Sequence, residues 1–416
     1  MILAESAKNK ILTGNELKKY RLKKKILGLL YHYHTLSGTS ISSKIGVSFP
    51  TALTLLNDLT ELALVETFGT GVSSGGRKPN MYRLSEKSIY VVACELGRYS
   101  GKLTIYNSHN HPVTSISNFE TSIDDNELVE KIYVNTQKLI QEFGINEERI
   151  YGIGLTMPGL IDENKGINHT IKNEEYRNVR ERLEARFGKL VYINNDARMQ
   201  AYGEYIFGKA KGHANAVIIN WSWGIGMGMI FNGKLYNGSS GFAGELSHTK
   251  FVDEGDLCIC GKRGCLETIG SSNFLVNNAV KGIQENIVSQ LTVGFKNRLH
   301  ELQPEDIINA AKSGDEFAIS LLNKIGLAVG KGLSFTIQLL NPEIIVLGGV
   351  VSKANRFILT PIQQALNKYC LEQISSNVKI VISDNWEKSG LLGVSAMLFQ
   401  RLFSDANSEI KYESYN

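Results

Sequence analysis

What this chain lacks narrows it first. In its 416 residues no uninterrupted apolar run approaches the ~20 residues that a helix needs to cross a bilayer, so no membrane-spanning helix is expected. The first fifteen residues contain no apolar stretch of the secretion-signal kind, and no such leader is expected either. Cysteine is scarce, with five in all, and Cys94 and Cys370 stand far apart in apolar surroundings. That excludes a secreted disulfide framework and points to the cytoplasm. A large net charge is missing too. The formal balance is +4, with 43% hydrophobic and 21% charged residues, an ordinary globular composition on a chain long enough for two or three domains.

The small net charge hides an uneven distribution. Residues 1–85 hold twelve Lys or Arg against five acids, which leaves the rest of the chain mildly acidic. A basic head on an acidic body predicts that the head, and not the body, meets a polyanion. Within that head, Leu17, Tyr20, Ile26, Leu27, Leu30 and Tyr31 recur at helical spacing over 16–34. Gly38 ends this helix, a short segment follows over 40–45, and Ser48 with Pro50 opens a second amphipathic helix marked by Leu53, Leu56, Leu59 and Leu62. Two helices joined by a tight glycine turn form a helix-turn-helix. Residues 64–68 and 80–84 read as two strands of a wing whose glycine-rich tip carries Arg77 and Lys78. Phe49, Thr51, Thr54 and Asn57 on the second helix, with Arg77 and Lys78 on the wing, are the candidate DNA contacts. A head that contacts another protein is the competing reading.

Three of the five cysteines are clustered. Cys258, Cys260 and Cys265 lie in C-I-C-G-K-R-G-C, ten residues after His248 in G-E-L-S-H. Three thiolates and one imidazole make a tetrahedral zinc set, and Gly261 and Gly264 let so short a loop turn its sulfurs inward. With four protein ligands and no open position, this zinc would be structural. The body around it alternates strands and helices. Strands are expected over 90–96, 101–106, 113–119, 150–156, 191–194, 216–220, 226–231 and 344–347, and helices over 128–143, 315–340, 357–370 and 390–403.

These patterns identify a family. K-I-L-G-L-L, S-S-K-I-G-V-S-F-P-T and S-G-G-R-K-P in the head closely resemble the winged helix of sugar-responsive repressors in the ROK family (repressors, open reading frames and kinases), and the likeness continues through the body. The resemblance implies an α/β protein: an N-terminal winged helix-turn-helix over 1–85, then a two-lobed actin-like (RNase H-like) sugar kinase fold over 86–416. Lobe 1 would span about 86–208 plus the C-terminal helix, and lobe 2 about 209–389, around a sugar-sized cleft. It also implies that Asn195 and Asp196 of N-D-A, Glu245 and His248 of G-E-x-x-H, and Glu267 after the last cysteine contact sugar hydroxyls, with Asn173 as a further contact. Ser247 stands where the family has glycine.

Asp196 occupies the family's catalytic-base position, yet the phosphate-cradling turns depart from the pattern. D-x-G-x-T is Glu95-Leu96-Gly97-Arg98-Tyr99 here, and G-T-G is Ser222-Trp223-Gly224, while Leu347-Gly348-Gly349-Val350 keeps its glycines. The expectation is therefore a degenerate kinase, not an enzyme: a regulator that binds operator DNA and a hexose, an N-acetylhexosamine or a sugar phosphate, as a homodimer or homotetramer. An active sugar kinase with a DNA-binding head is the alternative.

Overall fold

The computed structural model describes residues 14–70 and 78–403, so Arg77 lies outside the described residues. The head begins with α1 (Gly14–Tyr33), whose C-terminal half buries Ile26, Leu27, Leu29 and Leu30. After the short β1 (Leu36–Ser37), the Ser37 hydroxyl caps α2 (Gly38–Ile45) by accepting from Ser40 N, and Gly46 closes it at a φ of 73°. Ser48 caps α3 (Phe49–Glu61) in the same way, with Pro50 in the first turn where its missing N–H costs nothing. The segment expected as a connector over 40–45 is thus itself a helix, and the helix-turn-helix pair is α2 and α3. Its eight residues offer only Ile41 and Ile45 as buried apolar positions, too few to show a period, and packing on α3 decides the matter. Strands β2 (Val65–Thr70) and β3 (Asn80–Leu84) form the wing, in an antiparallel sheet of order β1-β3-β2. Arg83 bonds Glu66 at 2.6 Å and lies 4.0 Å from the Phe68 ring, which holds the two wing strands in register.

Compactness divides the described chain into two units. The first contains the head, the residues to Met157, 165–193 and the chain from Val394 on; the second contains 158–164 and 194–393. In the first unit follow β4 (Tyr90–Leu96), β5 (Ser100–Asn107), β6 (Ser117–Glu120), α4 (Leu128–Phe143), β7 (Ile150–Met157), α5 (Val179–Phe187) and β8 (Leu190–Asn195). The sheet order is β8-β7-β4-β5-β6, with β4 parallel to β7 and antiparallel to β5. Strand β6 is shorter than the 113–119 expected, because Val113 is already committed to a turn bond with Ile105.

The second unit runs through α6 (Asp196–Phe207), β9 (Ala216–Trp221), β10 (Ile225–Phe231), β11 (Lys234–Leu235), α7 (Ser272–Gln284), α8 (Pro304–Lys312), α9 (Glu316–Leu340), β12 (Ile344–Gly348), α10 (Arg356–Tyr369) and β13 (Lys379–Ile382). The last helix, α11 (Trp386–Phe403), passes from the second unit into the first after Gly393. The second sheet has the order β11-β10-β9-β12-β13. Residue alternation sorts its faces: Val217, Ile219, Trp221, Ile345 and Leu347 join the core beneath α9, whereas Ala216, Ile218, Ile344 and Val346 pack with Ala201 of α6. By compactness the chain passes from the first unit to the second after Ile193, so α6 groups with the strands of the second unit. The reason is that α6 lies directly on β10, where Gly226 and Gly228 leave no side chain to hold it off.

Within the first unit the head is bound to the body at several points. The Tyr31 hydroxyl donates to Asn110 at 2.9 Å, and its ring lies 5.5 and 5.4 Å from those of Phe399 and Phe403 on α11. His109 Nε2 donates to the Leu84 carbonyl at 2.8 Å, and Arg149 reaches the carbonyls of Leu62 and Ser88. Tyr31→Ala should therefore cost roughly 2–4 kcal/mol through lost aromatic packing, and Tyr31→Phe about 1 kcal/mol through the lost hydrogen bond. Denaturant titration checks this, with limited proteolysis of Tyr31→Ala releasing the head sooner than in the wild type.

Candidate functional site

The start of α6 organises the site. A Cβ on Gly226 would stand 2.6 Å from the Ala197 Cβ, and one on Gly228 would stand 2.4 Å from that of Ala201, so only glycine lets the helix come this close to β10. Asn195 caps α6: its carbonyl oxygen accepts from Arg198 N at 3.3 Å and its amide donates to the Gly159 carbonyl at 3.2 Å. Asp196, the first residue of the helix, accepts from the Asn220 amide at 3.2 Å, and Ser222 donates to Asn220 Oδ1 at 2.8 Å. Burial pushes the Asp196 carboxyl up. The backbone N–H groups at the helix start offset this in part, Glu245 adds to it, and Arg198 opposes it.

Glu267 reaches the same place from the other side. Its Oε2 accepts from Ile225 N at 3.0 Å, and its Oε1 would lie 2.6 Å from any Cβ on Gly224, so the carboxylate fills the space under the Ser222–Gly224 turn. Trp221 is fully buried beneath that turn and donates from its indole to the Gly270 carbonyl at 2.7 Å. Gly349, at a φ of 86°, packs so tightly that a Cβ would come 2.2 Å from the Trp221 carbonyl group. The turn after β12 is therefore packed against the last residue of β9, which leads into the Ser222–Gly224 turn. In the first unit, the E-L-G-R-Y turn has its carboxylate engaged, with Glu95 paired to Lys102 at 3.3 Å. Tyr99 is 65% exposed and accepts from Arg98 at 2.8 Å.

His248 ends a short helical turn, Leu246–His248, that begins after Glu245. Its Nδ1 lies 3.5 Å from Cys258 Sγ, and its Nε2 faces Glu245 Oε2 at 4.0 Å. Cys260 Sγ and Cys265 Sγ are 3.6 Å apart, and the four candidate ligand atoms all lie within 4.8 Å of one another. A tetrahedral metal with bonds of about 2.3 Å to sulfur spaces its ligands about 3.8 Å apart, so this donor set can hold a metal ion. Gly264 makes the loop possible: at a φ of 78°, a Cβ there would lie 1.7 Å from the Val252 carbonyl oxygen.

Five of the six residues singled out for sugar, namely Asn195, Asp196, Glu245, His248 and Glu267, belong to the second unit. Asn173 belongs to the first, is exposed, and accepts from Glu175 N as a turn cap. Sequence reasoning missed Asn220 and Arg198. Asn220 sits in a continuous apolar strand where nothing marks it out. Arg198, only 2% exposed, donates towards Asn194 Oδ1 at 3.4 Å, and the Asn194 amide in turn donates to Glu163 at 2.7 Å. On the head, Thr51, Thr54, Asn57 and Lys78 are exposed. Phe49 is 45% exposed, with its ring edge 3.1 Å from where a Gly38 Cβ would be.

A model of the ROK family matches residues 93–401. The xylose repressor of Bacillus spizizenii is 28% identical over 376 residues, covering 88% of this chain and 91% of that protein. That share exceeds everything after Ser85, so the match runs into the head. The N-acetylglucosamine repressor of Escherichia coli O157:H7 is 24% identical, covering 87% of this chain and 88% of its own. A glucokinase of Halalkalibacterium halodurans is 34% identical over 247 residues, 59% of this chain and 74% of that one. Among solved structures, a ROK family transcriptional regulator, a homologue of the E. coli MLC protein, superposes with a TM-score of 0.77 at 22% identity, over 92% of this chain and 98% of its own. A ROK family glucokinase from Streptomyces griseus in complex with glucose and AMPPNP gives 0.66 at 24% identity, over 74% and 98%. Both share the fold.

Because burial raises the Asp196 carboxyl above its ordinary value of 3.8, its ionised form lowers stability at neutral pH, and that loss disappears as pH falls through the raised value. Asp196→Asn should therefore raise the thermal midpoint at pH 7, and by less at pH 5. Gly264→Ala should lower the fraction of chains that retain metal, checked by elemental analysis of matched preparations.

Proposed function

The chain belongs to the ROK family, and from that premise we propose that it is a sugar-responsive transcriptional repressor of carbohydrate-utilisation genes. Its winged head binds operator DNA, and its kinase-like body senses sugar without phosphorylating it. The observation that carries this reading is the union, in one chain, of a winged helix with a sugar-type site whose nucleotide side has changed. Trp223 replaces a hydroxyl donor at the Ser222–Gly224 turn, and Glu95 is spent on Lys102. A phosphoryl-transfer enzyme needs both turns free to hold phosphates and metal. The repressor relatives, whose matches run into the head, support the same reading.

In this reading Asp196 and Glu245 accept from sugar hydroxyls, and Asn195 and Glu267 position the walls around them. His248 presents Nε2 to the sugar while Nδ1 binds zinc, so the metal fixes its tautomer. The zinc is structural and clamps the loop that carries His248 and Glu267. On the head, Thr51, Thr54 and Asn57 face the major groove with Phe49 at the helix start, while Arg77 and Lys78 follow phosphates. Two heads, in a dimer or a dimer of dimers, read two half-sites, and the sugar changes their affinity for DNA by preferring one conformation of the chain.

The second reading, an active kinase with a DNA-binding head, is favoured by the retained Asp196 and by the 34% identity to a glucokinase. Incubation with ATP, Mg²⁺ and xylose, glucose or N-acetylglucosamine separates the two. No sugar-dependent ADP release is expected, and robust release would decide for the kinase. Freshly purified protein should hold one zinc per chain by elemental analysis. In band shifts with promoter fragments, the double substitution Arg77→Ala with Lys78→Ala should weaken binding at least tenfold and reduce its salt dependence.

A further inference from the structure

Within the first unit, the head is fastened to the body through three of its own elements. At the end of α1, the Tyr31 hydroxyl donates to Asn110 at 2.9 Å. At the end of α3, Arg149 donates to the carbonyl of the cap residue Leu62 at 3.4 Å. At the end of β3, His109 Nε2 donates to the Leu84 carbonyl at 2.8 Å, and the buried Ser108 hydroxyl donates to the Ser85 carbonyl at 3.2 Å. Three consecutive residues, Ser108, His109 and Asn110, make all but one of these bonds. They form the turn that leaves β5, and the turn is braced: the buried Asn107 side chain accepts from His109 N at 3.0 Å and from His111 N at 3.1 Å. The five residues that link head to body, 85–89, are no free tether either. Ser88 is buried, its hydroxyl lies 3.3 Å from that of Ser108, and Ser85 N donates to the Leu64 carbonyl at 3.0 Å.

From this attachment we infer that Ser108, His109 and Asn110 are positioning residues for DNA recognition: they fix the head on the body, so that the body sets the half-site spacing the protein accepts. The inference rests on the DNA-binding, dimeric reading above and extends it. A module held at one element can swing about it, whereas one held at three elements must break bonds to move. Leu62 caps the helix that carries Thr51, Thr54 and Asn57, and Leu84 ends the strand that follows Lys78, so reading helix and wing are placed together. A head on a flexible linker would follow half-sites at many separations. Each base pair added between two half-sites moves one of them about 3.4 Å along the axis and turns it about 35°. A docked head cannot follow that turn, so one head leaves the DNA and the gain from binding both half-sites at once disappears.

The test uses the full chain in band shifts. The probes are duplexes that the wild type recovers from a random-sequence pool, resynthesised with one or two base pairs added to or removed from the spacer between their half-sites. The wild type should lose at least about tenfold in affinity on each altered spacer. His109→Ala with Asn110→Gly removes two docking bonds, and glycine keeps the left-handed turn at residue 110, whose φ is 59°. That variant should bind the altered spacers within about threefold of the original one. His109→Gln, which keeps a donor at the same reach, should stay as strict as the wild type. A residue that only stabilised the fold would change affinity for all spacers alike. Equal wild-type affinity across the spacers, an equally strict double variant, or recovered duplexes with a single unpaired site overturns the inference and leaves the DNA-binding reading standing. If the chain retains no duplex at all, the DNA-binding reading itself falls and takes the inference with it. Should the double variant fail to fold, Tyr31→Phe with His109→Ala carries the same test, and unchanged strictness there counts against the inference.

Discussion

The close approach of α6 to β10 is the contact on which the rest of the site depends. Helix and strand can touch at this distance only because Gly226 and Gly228 present bare backbone to Ala197 and Ala201. Once the helix is seated, its cap residue and its first residue, Asn195 and Asp196, are fixed beside the β9–β10 turn. Asn220 then reaches Asp196 from the strand, and Glu267 reaches the backbone of the turn from the opposite side. A helix start held by strand contacts is a rigid place to keep a partly buried carboxylate, since the exposed N–H groups of the first turn compensate its charge.

The cysteine loop extends this rigidity to groups that no strand carries. Glu245 and His248 bound a single short helical turn, Leu246–His248, and Glu267 opens a four-residue helix, Glu267–Gly270, short elements with few backbone bonds of their own to hold them. Gly264 allows the loop to fold over the Val252 carbonyl, and the sulfurs gather around His248 Nδ1. A metal held at that point would tie the residues before and after it together, letting the loop position two carboxylates and an imidazole as firmly as a helix would. The chemistry on the two faces of His248 is then coupled: whatever holds Nδ1 decides what Nε2 can offer.

The head and the body meet through a small set of contacts of a different character. Tyr31 couples α1 to Asn110 and to the aromatic pair of α11, and α11 is also the helix that begins in the second unit. Within the first unit, ring packing on α11 thus holds the head to the body. On α3, Thr51, Thr54 and Asn57 are exposed, as is Lys78 beside the wing strand β3.

Much of this was legible in the residues alone. The basic bias of residues 1–85, the Ser48 cap with Pro50, the cluster of cysteines near a histidine and the alternation of strands depend on local chemistry and short periods, and each is visible without knowing what it packs against. Motif likeness named Asp196, Glu245 and Glu267 as one candidate set, and all three lie in the second unit. Tertiary structure alone decided that 38–45 is a helix, that α6 belongs with the second unit, that Asn173 lies in the other one, and that Arg198 is buried beside Asn194. Those outcomes depend on which distant surfaces meet. A run of eight residues or a single arginine contains no period that reports its neighbours, whereas a glycine-lined strand under a helix determines them by leaving room for nothing else.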